Sequence, residues 1–325
     1  MISTTSEKIC LFIFATKQRK YASSCLFASI LSEIYVQLFE TVSNLDMNSS
    51  FQNILTLKYG RAIIKASKII MRCISMKNKG FEKAVVIFID ILGTKDRTNF
   101  DDWYKISDIF YKTVEREKEL DSTHPWTVYK REISIFSDCA YIVYDFKDDI
   151  DDSRKIKDEL IIISLYNTEK LICEFLTNDF IARGAITYGD IYYETNRGLF
   201  FGPAMNRAYE LESKYAKYPR IIIDPCISDE IYSYNMKKYR SDSIGCAING
   251  EIIKKDTDEI YFLHYLNSFQ LGYVNIDYEN IFEFIKNERN KNRETTELKE
   301  SINKKYDWLE KYVRNSLPLS LNPIY

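Results

Sequence analysis

Hydrophobic residues follow one another without a break from residue 84 to residue 89 in the run AVVIFID (84–90), which Asp90 ends, a pattern typical of a strand buried on both faces. Apolar and polar positions alternate through residues 129–146 on both sides of Ser137 and Asp138, which predicts a tight hairpin. Between the two, residues 101–120 predict a helix because they carry apolar side chains at helical spacing: Trp103, Ile106, Ile109, Phe110 and Val114.

The same periodicities continue beyond the hairpin. Residues 155–178 have the length and the apolar stripe of a second crossover helix, and residues 182–194 return to a strand pattern. This order of elements is that of the ferredoxin-like βαββαβ palm, so we expect an α+β fold with an antiparallel sheet. A further helix at 201–217 and a strand at 219–224 complete a predicted domain over residues 81–225.

The C-terminal part of the chain differs in character. Residues 247–266 predict a hairpin, and residues 277–313 are highly charged with apolar positions at helical spacing. We therefore expect residues 226–325 to form a hairpin and a packed or dimerising helical appendage.

Residues 1–80 are predicted to be an N-terminal extension whose role the sequence does not define. Its apolar runs at 9–15 and 25–40 do not predict membrane insertion, because the first is too short to span a bilayer and Glu33 interrupts the second. A helical extension and a segment upstream of a true start at Met76 both remain open.

Composition narrows the classes of function. The net charge of −2 with 28% charged residues gives no basic surplus, so nucleic-acid binding through phosphate neutralisation is not expected. The seven cysteines are scattered and form no Cys-x-x-Cys pair, which argues against disulfides and zinc and indicates a reducing cytoplasm. His124 and His264 stand alone, so a histidine-based triad or metal site is not expected.

The candidate chemistry lies at two strand ends. Asp90 ends the first apolar strand, and Asp138 follows 48 residues later (138 − 90 = 48), which leaves room for a crossover helix and a return strand. Two carboxylates at neighbouring strand ends can hold a pair of divalent metal ions on a triphosphate. The pair predicts phosphoryl transfer, although a single aspartate at a strand end is more often a turn former or a helix cap.

Four linked segments resemble the catalytic core of class III nucleotidyl cyclases, and most closely the pyrimidine cyclases of bacterial Pycsar anti-phage systems. They are FIDILGTK (88–95), SIFSDCAYIV (134–143), RGAITYGD (183–190) and FGPAMNRAYELE (201–212). The resemblance implies a palm-type domain that acts as a head-to-tail homodimer with shared active sites. It also implies a 3′,5′-cyclic nucleotide product, an antiviral role and indirect coupling to a cyclic-nucleotide-sensing effector.

The resemblance assigns roles to individual residues. Asp90 and Asp138 match the carboxylates that bridge two Mn²⁺ or Mg²⁺ ions, and the backbone carbonyl of Ile91 matches an additional ligand. Asn206 matches the asparagine that orients the ribose from the partner subunit. Backbone N–H groups of the turn at 91–95 would bind the β- and γ-phosphates, and its members are Ile91, Leu92, Gly93, Thr94 and Lys95.

The sequence departs from the purine cyclases where they recognise the base. Ser134 stands in place of a Lys or Glu on the strand before Asp138, and Leu199 stands in place of an Asp or Cys. Trp126 and Tyr129 could shrink the pocket against a purine. These residues predict a pyrimidine, with UTP ahead of CTP on family frequency, although pocket size alone discriminates only modestly.

A second departure concerns the charge that stabilises the transition state. Four residues after Asn206, many class III cyclases carry an arginine, and this chain has Glu210. Arg207 or Arg183 could supply that charge, and without one the domain would be a slow enzyme or a nucleotide-binding palm without turnover. Arg207, Glu210 and Lys214 could equally form a salt-bridged helix face. A palm polymerase or diguanylate-type synthase ranks third, because the sequence has no Gly-Gly-Asp/Glu-Glu-Phe signature.

Overall fold

The structure is a computed structural model that describes residues 80–239, 250–291 and 297–318. Residues 1–79, which hold the predicted N-terminal extension with its apolar runs and Met76, lie outside the described residues. Within the described ranges, no helix combines the length and the hydrophobicity that crossing a bilayer requires.

The described residues contain one sheet and a set of helices that pack on it. The strands are β1 (Glu82–Ile91), β2 (Tyr129–Phe136), β3 (Cys139–Phe146), β4 (Ala182–Glu194), β5 (Leu199–Phe201), β6 (Ile221–Ile223), β7 (Ile253–Lys255) and β8 (Tyr261–Leu263). The helices are α1 (Phe100–Phe110), α2 (Arg116–Thr123), α3 (Lys157–Leu176), α4 (Pro203–Tyr215), α5 (Pro225–Lys238), α6 (Asn267–Gln270), α7 (Tyr278–Lys291) and α8 (Glu297–Asn315). The strand order is β2-β3-β1-β4-β6-β8-β7, and β5 pairs with β4.

β1 lies in the middle of the sheet because its side chains are apolar on both faces. Residues 84–89 are all buried, and β1 pairs antiparallel with β3 on one side and with β4 on the other. α1 and α2, joined by a π-helical turn at Tyr111–Glu115, connect β1 to the β2–β3 hairpin, and α3 connects that hairpin to β4. The predicted α+β ferredoxin-like βαββαβ palm is therefore confirmed.

Alternation along the strands divides the sheet into two faces. Val85, Ile87 and Ile89 point into a large core on the first face, where α1 and α3 pack. The second face is lined by Ala84, Val86 and Phe88, which pack against Ala204 and Ala208 of α4. Asp90 continues the even-numbered series of β1 and therefore belongs to the second face.

The C-terminal part extends the same sheet. β6 pairs parallel with β4, β8 pairs antiparallel with β6, and β7 pairs with β8. β7 and β8 form a hairpin within residues 247–266, and α7 and α8 begin within residues 277–313. Both helices are packed, because Phe284, Ile285 and Leu309 are buried in the first-face core.

Candidate active site

Asp90 and Asp138 meet at one edge of the sheet. Asp90 is next to last in β1, and Asp138 lies in the two-residue turn between β2 and β3, beside Cys139, which pairs with Asp90. The Ile91 N–H donates to the Asp138 carbonyl oxygen at 3.0 Å, which fixes the turn against the end of β1. Ser137 completes this tight turn with φ of 59°, a left-handed conformation that is uncommon outside glycine. The register of the hairpin therefore brings the two aspartates together.

Arg183 bridges Asp90 to a second acidic residue. In the β1–β4 register Arg183 lies opposite Asp90, and its Nε and Nη2 donate to Asp90 Oδ2 at 3.0 and 2.9 Å. Its Nε also lies 2.6 Å from Oε1 of Glu212 on α4. Burial raises the pKa of Asp90, the hydrogen bond and charge of Arg183 lower it, and the charge of Asp138 raises it.

Asp90, Asp138 and Glu212 together form what we call the acidic cluster. Burial raises the pKa of the Cys139 thiol, and the charges of these three carboxylates raise it further. Glu212 is 2% exposed, and burial raises the pKa of its carboxyl group. The sequence analysis missed Glu212, although a signal was present: it follows the buried Ala204 and Ala208 at helical spacing, where an apolar residue is expected.

The turn after β1 holds Asp138 in place. The Thr94 hydroxyl donates to Asp138 Oδ2, and Thr94 itself is buried. Of the backbone N–H groups predicted to bind phosphate, those of Ile91 and Leu92 already donate to carbonyl oxygens of the chain, at 3.0 and 2.8 Å. Phosphate contacts from this turn would come from Gly93, Thr94 and Lys95. Gly93 has φ of 79° and no atom within 4 Å of the position of a Cβ, so the turn is open on that side.

The acidic cluster suits a hard divalent cation. Among the described residues, the hydrogen bonds to the Asp90 and Asp138 side chains are all accepted by Oδ2, so that no donor there occupies Oδ1 of either. Glu212 Oε1 is buried, and its contact among the described residues is the ion pair with Arg183 Nε at 2.6 Å. Carboxylate oxygens are the donors that Mg²⁺ prefers. Within the described ranges no preassembled set of three or more His, Cys, Asp or Glu ligands is present, so further ligands would be backbone carbonyl, water or substrate oxygens.

Of the residues predicted to contact the base, Ser134 shares the second face with the acidic cluster. It pairs with Tyr141, whose ring lies 4.7 Å from that of Phe88. Burial raises the pKa of the Tyr141 hydroxyl to about 12. Two residues further along β2, Phe136 is 79% exposed. The surface beside the two aspartates is therefore small and polar at Ser134 and aromatic around it.

The structure does not bring the other predicted base residues to Asp90 within one chain. Tyr129 lies on the first face, where its hydroxyl donates to Asp121 at 3.1 Å. Leu199 pairs with Glu194 at the far end of β4, eleven residues from Arg183 (194 − 183 = 11). At about 3.3 Å per residue that is roughly 36 Å.

Asn206 also lies away from Asp90 in the same chain. α4 crosses the second face so that Glu212 reaches Arg183, whereas Ala204 lies against Gly189, where an added Cβ would come within 3.3 Å of Ala204 Cβ. Gly189 is six residues along β4 from Arg183 (189 − 183 = 6), or roughly 20 Å. Asn206 is exposed in the first turns of α4, at the end remote from the acidic cluster.

Arg207 and Glu210 have partners on their own chain. Arg207 Nε and Nη2 donate to the two oxygens of Asp224 at 2.9 and 3.1 Å, and Arg207 Nη1 lies 3.6 Å from Glu210. Glu210 also pairs with Lys214 at 2.6 Å. Asp224 additionally accepts from Thr187, so Arg207 is held about 13 Å along β4 from Arg183. The roles predicted for Asn206 and Arg207 stay predictions.

Comparison with solved structures finds similarity to two nucleotide cyclases. One is the guanylyl cyclase Cya2, with 12% identity, a TM-score of 0.33, and coverage of 46% of this chain and 78% of that chain. The other is a bacterial light-regulated adenylyl cyclase, with 12% identity, a TM-score of 0.34, and coverage of 57% of this chain and 59% of that chain. No protein-family model and no curated protein matches the sequence.

Proposed function

We propose that the protein is a nucleotidyl cyclase that converts a pyrimidine nucleoside triphosphate, UTP ahead of CTP, to its 3′,5′-cyclic monophosphate and pyrophosphate. The observation that carries the proposal is the convergence of Asp90 and Asp138 at one sheet edge, each with Oδ1 available. By the sequence resemblance, the product is a second messenger of anti-phage defence that acts through a cyclic-nucleotide-sensing effector in the cytoplasm.

Two Mg²⁺ or Mn²⁺ ions would be held by Asp90, Asp138 and the Ile91 carbonyl, and when bound they would lower the pKa of the ribose 3′-hydroxyl and neutralise charge at the α-phosphate. Arg183 then has a defined task. When Asp90 binds a metal ion, the Arg183 guanidinium would keep its ion pair with Glu212, and its remaining N–H groups would donate hydrogen bonds to the phosphates. Cyclisation requires no covalent protein nucleophile, so positioning and charge account for the catalysis.

A second copy of the chain would complete the site. Asn206 and Arg207 lie roughly 20 and 13 Å along the sheet from the acidic cluster of their own chain, so they would act on the cluster of the other copy. The second face supports this arrangement, because α4 covers it only in part and aromatic side chains remain uncovered. Phe136 and Tyr209 are 79% and 55% exposed.

The preference for a pyrimidine rests on the small surface beside the acidic cluster. Ser134 can form one hydrogen bond to a base edge, and the neighbouring rings of Phe136 and Tyr141 can pack against its plane. None of these groups carries a charge that would select a purine edge. The choice of UTP over CTP comes from the resemblance alone.

The second candidate function is a palm that binds nucleotide without turnover. Two observations favour it. Glu210 stands where many of the class III cyclases that the sequence resembles carry an arginine, and Arg207 already donates hydrogen bonds to Asp224. Such a protein would bind a metal-nucleotide complex but release no pyrophosphate.

The test is to incubate the full chain with Mn²⁺ and each of the four nucleoside triphosphates, and to identify products by mass. We expect a cyclic pyrimidine nucleotide, and Asp138→Asn should lower turnover at least about a hundredfold. Asp190→Asn is the matched control, because Asp190 is a solvent-exposed acid paired with Lys83 at 3.3 Å. Conversion of ATP alone would defeat the assignment of the base, and nucleotide binding without conversion of any triphosphate would establish the second candidate.

A further inference from the structure

α8 is fixed over the segment that follows α4. The Trp308 indole N–H donates to Asp256 at 2.7 Å, and its ring stacks on Tyr218, three residues after the end of α4, with centroids 5.9 Å apart. Asp256 also binds the buried guanidinium of Arg220 at 2.5 Å. One turn further along, Tyr312 packs against Tyr265 with centroids 4.6 Å apart. These contacts hold the C-terminal half of α8 rigidly against the sheet.

The middle of the same helix lies against the segment that follows β1. Tyr306 is buried, and the charge of Arg97 acts on its hydroxyl. Arg97 comes directly after the helical turn Thr94–Asp96 and donates to the Asp179 carbonyl oxygen at 3.3 Å. α8 therefore passes from the turn after β1 to the segment after α4. These are the two segments on either side of the bridge that Arg183 makes between Asp90 and Glu212.

Lys305 lies on α8 next to Tyr306, near enough to this bridge for its charge to act on Asp90 and Arg183. It is half-buried, and burial lowers the pKa of its ammonium group, with the charge of Arg183 adding to that effect and the charge of Asp90 opposing it. In return Lys305 lowers the pKa of Asp90. No salt bridge or hydrogen bond joins Lys305 to the residues that the structure describes. Its neighbour Lys304 differs, since it pairs with Glu300 at 3.3 Å and is 65% exposed.

A half-buried lysine without an acid partner is expected to have an anionic ligand, because its charge is otherwise only partly solvated. The negative groups that the proposed function would bring to this edge are the β- and γ-phosphates of the nucleotide. A lysine ammonium can donate three hydrogen bonds to phosphate oxygens and stabilise the charge that pyrophosphate carries as it leaves. Glu210 provides no such charge.

We propose that Lys305 of α8 binds the triphosphate of the substrate at the acidic cluster of its own chain. The inference rests on the proposed function and extends its site to a helix outside the segments that resemble cyclases. It makes α8 part of the nucleotide site rather than only a packed appendage.

The test uses inorganic tripolyphosphate with Mn²⁺, which needs no knowledge of the base, titrated calorimetrically into the full chain. We expect Lys305→Ala to weaken binding about tenfold or more, equivalent to about 1.4 kcal/mol, and Lys305→Arg to retain most of the affinity. Lys304→Ala is the matched control and should bind like the original chain. Lys305→Met keeps the aliphatic stem and should reproduce the loss at an unchanged melting temperature.

Equal or tighter binding by Lys305→Ala would overturn the inference, and so would an equal loss in Lys304→Ala. Turnover by the original chain separates this outcome from failure of the proposed function. A chain that binds Mn²⁺ tripolyphosphate through Lys305 but cyclises no nucleotide would refute the enzyme and leave the inference standing.

Discussion

Arg183 shares one guanidinium between Asp90 and Glu212, and this sharing determines how the acidic cluster behaves. Its Nε lies 3.0 Å from Asp90 and 2.6 Å from Glu212, so neither carboxylate is neutralised alone. Asp138 adds a third negative charge, and within the part of the chain that the structure describes its side chain accepts a hydrogen bond only from the Thr94 hydroxyl. The acidic cluster therefore keeps the negative charge that a divalent cation requires. When no cation is bound, the positive charge of Arg183 offsets the repulsion between the carboxylates.

Replacing Glu212 by Gln should weaken metal binding. The change removes one negative charge and leaves Arg183 with Asp90 as its remaining carboxylate partner, so that a cation must displace a tighter ion pair. We expect the affinity for Mn²⁺ to fall about tenfold, as measured by the electron paramagnetic resonance of free Mn²⁺.

Glu210→Gln is the control for this variant, because Glu210 lies on the same helix but is only partly buried and pairs with Lys214. It should leave Mn²⁺ affinity unchanged. If both variants bound Mn²⁺ as well as the original chain, Glu212 would have no part in the cation site.

At the residue scale, the sequence identified side chains whose position follows from local pattern. Asp90 and Asp138 stand at a strand end and in a turn, both readable from alternation. Glu212 and Lys305 could not be assigned a role in this way. Their neighbours come from elements distant in the sequence, and Lys305 lies 215 residues from Asp90 (305 − 90 = 215).

His264 connects the end of β8 to the helices α6 and α8. This fully buried residue follows β8, its Nδ1 lies 2.8 Å from the Tyr312 hydroxyl of α8, and its Nε2 lies 2.9 Å from Gln270 of α6. Burial, together with the charge of Lys254, lowers the pKa of His264 to about 3. The imidazole is thus neutral in the folded protein and joins two helices to one strand end.

Acidification should destabilise the fold through this histidine. The unfolded chain binds a proton at His264 below about pH 6.5, whereas the folded protein binds it only near pH 3, so stability falls as pH decreases across that window. The slope is at most about 1.4 kcal/mol per pH unit. Buried carboxylates such as Glu169, whose pKa is raised by burial, act in the opposite direction, so the comparison must be between variants.

The measurement is urea unfolding of the original chain and of His264→Gln at several pH values between 7 and 5. The variant should show a smaller loss of unfolding free energy on acidification, whatever its absolute stability. His124→Gln, which replaces an exposed histidine, should keep the original slope. An identical slope in all three proteins would refute the assignment.

For whole elements, the periodicity of the sequence predicted the type and order of the helices and strands, but it did not predict which strands are neighbours in the sheet. The βαββαβ order and the hairpin within 247–266 were readable because each element has its own apolar repeat. That β8 joins the same sheet beside β6 was not readable, since strand pairing across about forty residues leaves no local pattern. The same reason explains why α8 was described as an appendage.

At the scale of the whole molecule, α4 relates the two ends of the second face. One end brings Glu212 to Arg183, and the other presents Asn206, so under the proposed function a single chain would offer two different half-sites far apart. In two copies packed head to tail through this face, the acidic cluster of each copy would lie beside Asn206 of the other, which would give two complete sites per dimer.

Complementation between two inactive variants tests this arrangement. Asp138→Asn and Asn206→Ala should each be nearly inactive alone, whereas an equal mixture that is allowed to exchange subunits should regain on the order of a quarter of the original activity, because each mixed dimer has one intact site. Pyrophosphate release measures the recovery. Sites complete within one chain would show no recovery above the sum of the two variants.

The pairing of β8 with β6 has a consequence for biosynthesis. All of the cyclase-like segments precede residue 225, so the ribosome releases them before it has synthesised β8. Until then, the edge of β6 (Ile221–Ile223) that later pairs with β8 has unpaired backbone N–H and C=O groups. During that interval the nascent chain exposes a template for aggregation. β8 therefore covers an edge of β6 that would otherwise promote aggregation.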